Sequence, residues 1–115
     1  MQIAFSSDSG RHFGAPLVVD ADAPTGRVDA VLLNDGSALV SWIGSDAGDT
    51  ALRVRHIQPD GTAGSPIPLA AVSRSRSTGM PRMVHSDGHI YVAWVAEQNG
   101  TPQVQMTHVA VDTLQ

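Results

Sequence analysis

Residues 26–44 read "GRVDAVLLNDGSALVSWIG", and residues 79–97 read "GMPRMVHSDGHIYVAWVAE". The two stretches share one frame. Gly26 matches Gly79, the Asp35-Gly36 turn matches Asp87-Gly88, and Trp42 matches Trp94, 52 residues on. At the same offset His56 matches His108 and Asp60 matches Asp112, while "GAPLVV" at 14–19 matches "GSPIPL" at 64–69. A period of about 50 residues is the mark of a repeat architecture whose units bury their faces on one another.

Each unit reads as β-structure. Runs rich in valine, isoleucine and leucine lie between Asn-Asp-Gly, Pro-Asp-Gly and Ser-Asp-Gly clusters, which signal strands separated by turns. Eleven glycines and seven prolines break up any helical pattern, and no window carries apolar residues at i, i+3, i+4 and i+7 over three turns. The pattern predicts nine strands, at 1–5, 17–20, 28–33, 38–43, 51–57, 66–70, 81–85, 89–95 and 103–110. A repeat of four short strands points to the blade of a β-propeller; a sandwich of unrelated strands would show no such register.

Composition narrows the function classes. The 115 residues include no cysteine, so disulfides, cysteine metal sites and thiol nucleophiles are out. The formal charge is −4, and all seven cationic residues are scattered arginines apart from "SRSRS" at 73–77. No basic face invites nucleic acid. No apolar run approaches the ~20 residues of a membrane-spanning helix, and the first residues lack the basic start and apolar core of a signal peptide.

"SSDSGRHF" at 6–13 fits the Asp-box pattern Ser-x-Asp-x-Gly-x-x-aromatic, with Ser6, Asp8, Gly10 and Phe13 in place and His12 where threonine is frequent. With the "DGSALVSW" hairpin, the chain resembles sialidase-type propellers built from BNR repeats, over nearly its whole length. A second box, "HIQPDGTAG" at 56–64, keeps Asp60 and Gly61 but lacks the aromatic. The resemblance implies that the box joins the third and fourth strands of a blade, on the rim, away from any ligand. There Asp8 accepts backbone N–H bonds, Gly10 supplies a conformation that a Cβ resists, and Phe13 is expected to bury its ring for ~1.5–3 kcal/mol.

In the strand order of that family, 1–20 is the back half of a blade, 27–70 a complete blade and 80–110 the front three strands of another. An open stack of this kind leaves end faces bare, at a cost of ~10 kcal/mol for about five large apolar side chains on each, comparable to a whole domain's stability. Ring closure is the expected repair: three chains forming a six-bladed homo-oligomer, or else a segment of one long propeller. The missing signal peptide leaves two expectations, a cytoplasmic protein or an export signal outside this sequence, and the resemblance implies the second, with secretion or a periplasmic location.

Sialidases use an arginine cluster, a tyrosine paired with a glutamate, and an aspartate acid/base. The single tyrosine, Tyr91, sits in a strand and the single glutamate, Glu97, in a turn, so that catalytic set does not carry over. No Gly-x-Ser-x-Gly elbow occurs. His12, His56, His85, His89 and His108 have no metal-ligand spacing, and no metal or cofactor is expected. Trp42 and Trp94, being repeat equivalents, are expected in the core. The candidate ligand residues are Arg27, Asp29 and Arg82, at the starts of two innermost strands where a propeller's funnel gathers ligands; they serve either as interblade ion pairs or as a polar-ligand site. Arg74 and Arg76 are expected in a solvated loop. The sequence therefore supports a noncatalytic module holding a glycan or protein, with a sialidase-type glycoside hydrolase fragment as the alternative.

Overall fold

The computed structural model describes residues 1–21, 26–46, 49–71 and 79–114; Arg74 and Arg76 lie outside them. The protein is all-β among these residues, with nine strands in three antiparallel sheets. Strands β1 (Gln2–Ile3) and β2 (Leu17–Val18) form the first. Strands β3 (Gly26–Leu32), β4 (Ala38–Asp46), β5 (Asp49–Ile57) and β6 (Ile67–Ala71) form the second, in sequence order. Strands β7 (Gly79–Ser86), β8 (His89–Gln98) and β9 (Thr101–Ala110) form the third, followed by a single 3-10 turn at Val111–Thr113.

The strands follow the sequence pattern, with differences of length: β2 ends at Val18 rather than at 20, and β3 and β7 each begin two residues early. The 4–5 and 8–9 hairpins run on to Asp46↔Asp49 and Gln98↔Thr101, because continuous ladders satisfy backbone groups that a longer loop would leave to water. The first strand is shorter than its 1–5 expectation. From Phe5 onward the chain serves the 6–13 loop, which closes through Gly14 N–H to the Phe5 carbonyl at 2.8 Å.

Alternation along the strands gives the middle sheet two apolar faces. On one, Leu39, Ile43, Leu52 and Val54 join Met83, Ile90, Val92 and Trp94 of the third sheet in a single core. Val111 and Leu114 close it, held by the Val111 N–H bond to the Gly88 carbonyl at 2.9 Å. On the other face Val40, Trp42 and Ile57 pack with Val19 and the half-buried Ile3, Phe5 and Leu17. Both tryptophans are buried, as repeat equivalence predicts.

The repeat is visible in the backbone. Between Gly26 and Asp29 strand β3 carries one residue more than its partner, and between Gly79 and Arg82 strand β7 does the same. The hairpins that follow differ by one residue. Leu33 N–H bonds to the Ser37 carbonyl at 2.8 Å across a three-residue loop ending on Gly36 at φ +86°. Ser86 pairs with His89 across only Asp87 and Gly88, both at positive φ, the two-residue primed turn. This deletion shifts the repeat offset from 53 (Gly26 to Gly79) to 52 (Trp42 to Trp94).

Candidate functional site

The matched bulges meet at one place. Arg27, Val28, Pro81 and Arg82 line a cleft of about 240 Å³ between the starts of β3 and β7. A bulge turns a strand's side chains off the regular alternation, and Arg27 sits at φ +57°, in the left-handed region that a residue with a Cβ occupies only against strain. Both arginines line the same cleft. Among the described residues neither has a carboxylate within ion-pair distance.

Asp29, the third expected member, is placed with them but is otherwise employed. Its Oδ2 accepts the Met83 N–H at 2.8 Å and its Oδ1 the Ala30 N–H at 2.9 Å. The carboxylate ties β3 to β7 across the sheet boundary, and the ion pair expected between inward-facing charges of opposite sign is not formed at Asp29 among the described residues. Arg82 holds the corresponding repeat position and, lacking an acceptor, cannot make such a tie. Among the described residues, what remains at the cleft is two forked cations without a counter-charge, a pair suited to a carboxylate or another oxyanion.

The 6–13 loop is a closed polar clip. Ser6 Oγ donates to Asp8 Oδ1 at 2.8 Å and accepts the Gly10 N–H at 2.8 Å. Asp8 Oδ1 also accepts the His12 N–H at 2.8 Å, and Oδ2 meets His12 Nδ1 at 2.6 Å. The His12 backbone N–H, then its ring, then the Ser6 hydroxyl hold the Asp8 carboxyl below its usual range. Gly10 takes φ +86°. Phe13 departs from expectation, since 63% of the residue is exposed. Its ring leans into a cleft of about 600 Å³ with Phe5, Leu32 and Pro59. The clip closes through polar contacts, and among the described residues no further sheet lies over β3 at this point to cover the ring.

The remaining candidates separate. Tyr91 lies on the outer surface of the third sheet, 5.7 Å from the His108 ring and 6.4 Å from that of His89. The side chain of Glu97 lies outside the described set. Among the described residues no three His, Asp or Glu side chains gather as a metal site.

One arrangement escapes the sequence reading. Ser37 Oγ donates to Asp35 Oδ1 at 2.5 Å and contacts His56 Nε2 at 2.8 Å. The hydroxyl has one proton, given to the carboxylate, so His56 must donate to the serine oxygen. That polarity is the reverse of what a serine nucleophile needs, and the arrangement is a brace, buried at Ser37 and His56 and exposed at Asp35. The Ser37 hydroxyl, then its N–H, then the His56 charge hold the Asp35 carboxyl below its usual range. The repeat of His56 at His108 was the available signal, but only the fold brings Ser37 beneath it.

Comparison with protein-family models, with curated proteins and with solved structures finds no match.

Proposed function

We propose that the chain is a noncatalytic sialidase-like β-propeller module that binds an acidic glycan and assembles as a multi-chain ring, three chains making six blades. The observation that carries the reading is the Arg27–Arg82 cleft: two arginines on equivalent bulges of neighbouring strands, both without a carboxylate partner among the described residues. A sugar carboxylate there would take charge-assisted hydrogen bonds from both forks. Sheets that stack through equivalent faces at a period of about 50 residues favour the propeller over an unrelated sandwich. Tyr91 faces outward among histidines rather than into the cleft, so the tyrosine a sialidase would use does not stand beside the arginines, which favours binding over hydrolysis.

Titration calorimetry with sialyllactose tests this. The wild-type protein is expected to bind, Arg82→Ala to lose affinity by about tenfold or more, as for a lost charged hydrogen bond, and Phe13→Ala to bind as wild type. Release of the fluorophore from a fluorogenic sialoside by the purified protein would instead support the glycosidase reading. Equal binding by wild type and Arg82→Ala would remove the cleft from the account.

A further inference from the structure

Among the described residues eight large apolar residues are exposed, and seven fall in two patches. Val84, Tyr91, Val104 and Met106 line the outer face of the third sheet. Val28, Leu32 and Phe13, with Ala30 between the first two, line the open strip of β3 beside the first sheet.

The repeat shows what each patch is. On the outer face Val84, Tyr91, Val104, Met106 and His108 are the counterparts of Val31, Leu39, Leu52, Val54 and His56. Those five form the side of the middle sheet that the third sheet covers, where Leu39 and Leu52 are fully buried and Val54 nearly so. On the strip, Val28, Ala30 and Leu32 are the counterparts of Pro81, Met83 and His85, which belong to the opposite side of that contact; Pro81 and Met83 are buried in it. The open patches are thus one face of a sheet-to-sheet contact the chain already makes internally and the β3 margin of its other face, whose remaining part, Val40 and Trp42 as counterparts of Val92 and Trp94, is packed against the first sheet.

We infer that a second copy of this chain seats its β7–β9 outer face on the β3 strip, repeating between chains the contact made within one. The inference rests on the ring assembly proposed above and names the surfaces that form it. The contact is head to tail, with unlike patches meeting, so it propagates around a ring rather than stopping at a dimer. The chain exposes 6928 Å², about 900 Å² more than the ~6,000 Å² usual for a folded monomer of this mass, a surplus in the direction expected of uncovered faces, although two standard interfaces would take about 1,600 Å² from each chain.

Site-directed crosslinking tests the pairing, because the native chain has no cysteine. Val31 and Met83 share one core cluster, so their counterparts Val84 and Ala30 should meet between chains. Ala30→Cys mixed with Val84→Cys, treated with a short bis-maleimide, is expected to give a covalent heterodimer, while each variant alone gives mostly monomer. Met106→Asp, on an exposed position, is expected to keep the wild-type circular dichroism spectrum and to raise the dissociation concentration at least tenfold. An oligomer that forms without the Ala30–Val84 link and tolerates Met106→Asp would overturn this pairing and leave ring assembly to other surfaces. A wild-type protein that stays monomeric at all concentrations would overturn both. An open polymer carrying the link would uphold the pairing and remove closure.

Discussion

Leu52 and Val104 stand at the same place in the repeat, as do Val54 and Met106, yet the members of the middle sheet are 0% and 1% exposed and those of the third sheet 76% and 65%. The residue types are alike, but two neighbours differ. Strand β5 lies between β4 and β6, whereas β9 is an edge strand paired with β8 among the described residues. The middle sheet also has the third sheet against that face, and the third sheet has none among the described residues. Burial here is set by which elements lie alongside and over a strand rather than by local sequence.

Substitutions at matched positions can break that comparison. Leu52→Ala should cost about 2–5 kcal/mol, the usual price of a large buried aliphatic, whereas Val104→Ala should stay within about 0.5 kcal/mol in dilute protein. Urea unfolding of both variants at low and high concentration checks this. A large Val104→Ala cost in the monomer would mean that the two faces are not distinguished by cover.

Asp29 and Arg82 sharpen the contrast at the strand starts. Asp29→Ala removes the acceptor of the Met83 N–H between sheets and should destabilise by about 1–3 kcal/mol, whereas Arg82→Ala should leave the urea midpoint unchanged and act on ligand binding alone. The opposite ranking would make Arg82 the structural member.

The hairpin turns should behave alike despite their different lengths. Gly36 and Gly88 both hold positive φ, with no atom within 4 Å of an added Cβ. Alanine at either should cost about 1–2 kcal/mol through backbone conformation alone. A thermal scan showing a much larger loss at one would point to a contact that the loops do not display.

The smallest expected effect is on acid stability. The carboxyls of Asp8, Asp35 and Asp60 are all held below the ordinary range, Asp60 chiefly by the Thr62 backbone N–H. Groups with lowered folded pKa values stabilise the fold above the unfolded value of about 3.9 and lose that contribution as pH falls through the folded value. The urea midpoint should therefore drop below about pH 4, and Asp35→Asn should flatten part of the fall. An unchanged slope in that variant would mean that the Ser37 brace does not favour the charged carboxylate.

Much of the fold is legible in the sequence because its signals are local. Turn clusters such as Asn34-Asp35-Gly36 and Ser86-Asp87-Gly88 bound the strands, and the Gly26/Gly79 frame carries the repeat. The polar bonds of the 6–13 loop are legible for the same reason, all lying within five residues. The exposure of Phe13 is not legible, because it depends on which sheet lies over β3. Nor is the Asp29 tie to the Met83 backbone, since it spans two units and the repeat places an arginine where a second such tie would be. The site is half legible: charge and position mark Arg27 and Arg82, but the bulges that bring them to one cleft show only in the pairing register.

Light scattering on the purified protein bears most directly on the claim that uncovered sheet faces are covered by further copies. At micromolar concentration and above the mass should be three times the 12.0 kDa of one chain, falling toward one chain on dilution. A steady mass of 12.0 kDa at every concentration would contradict the account.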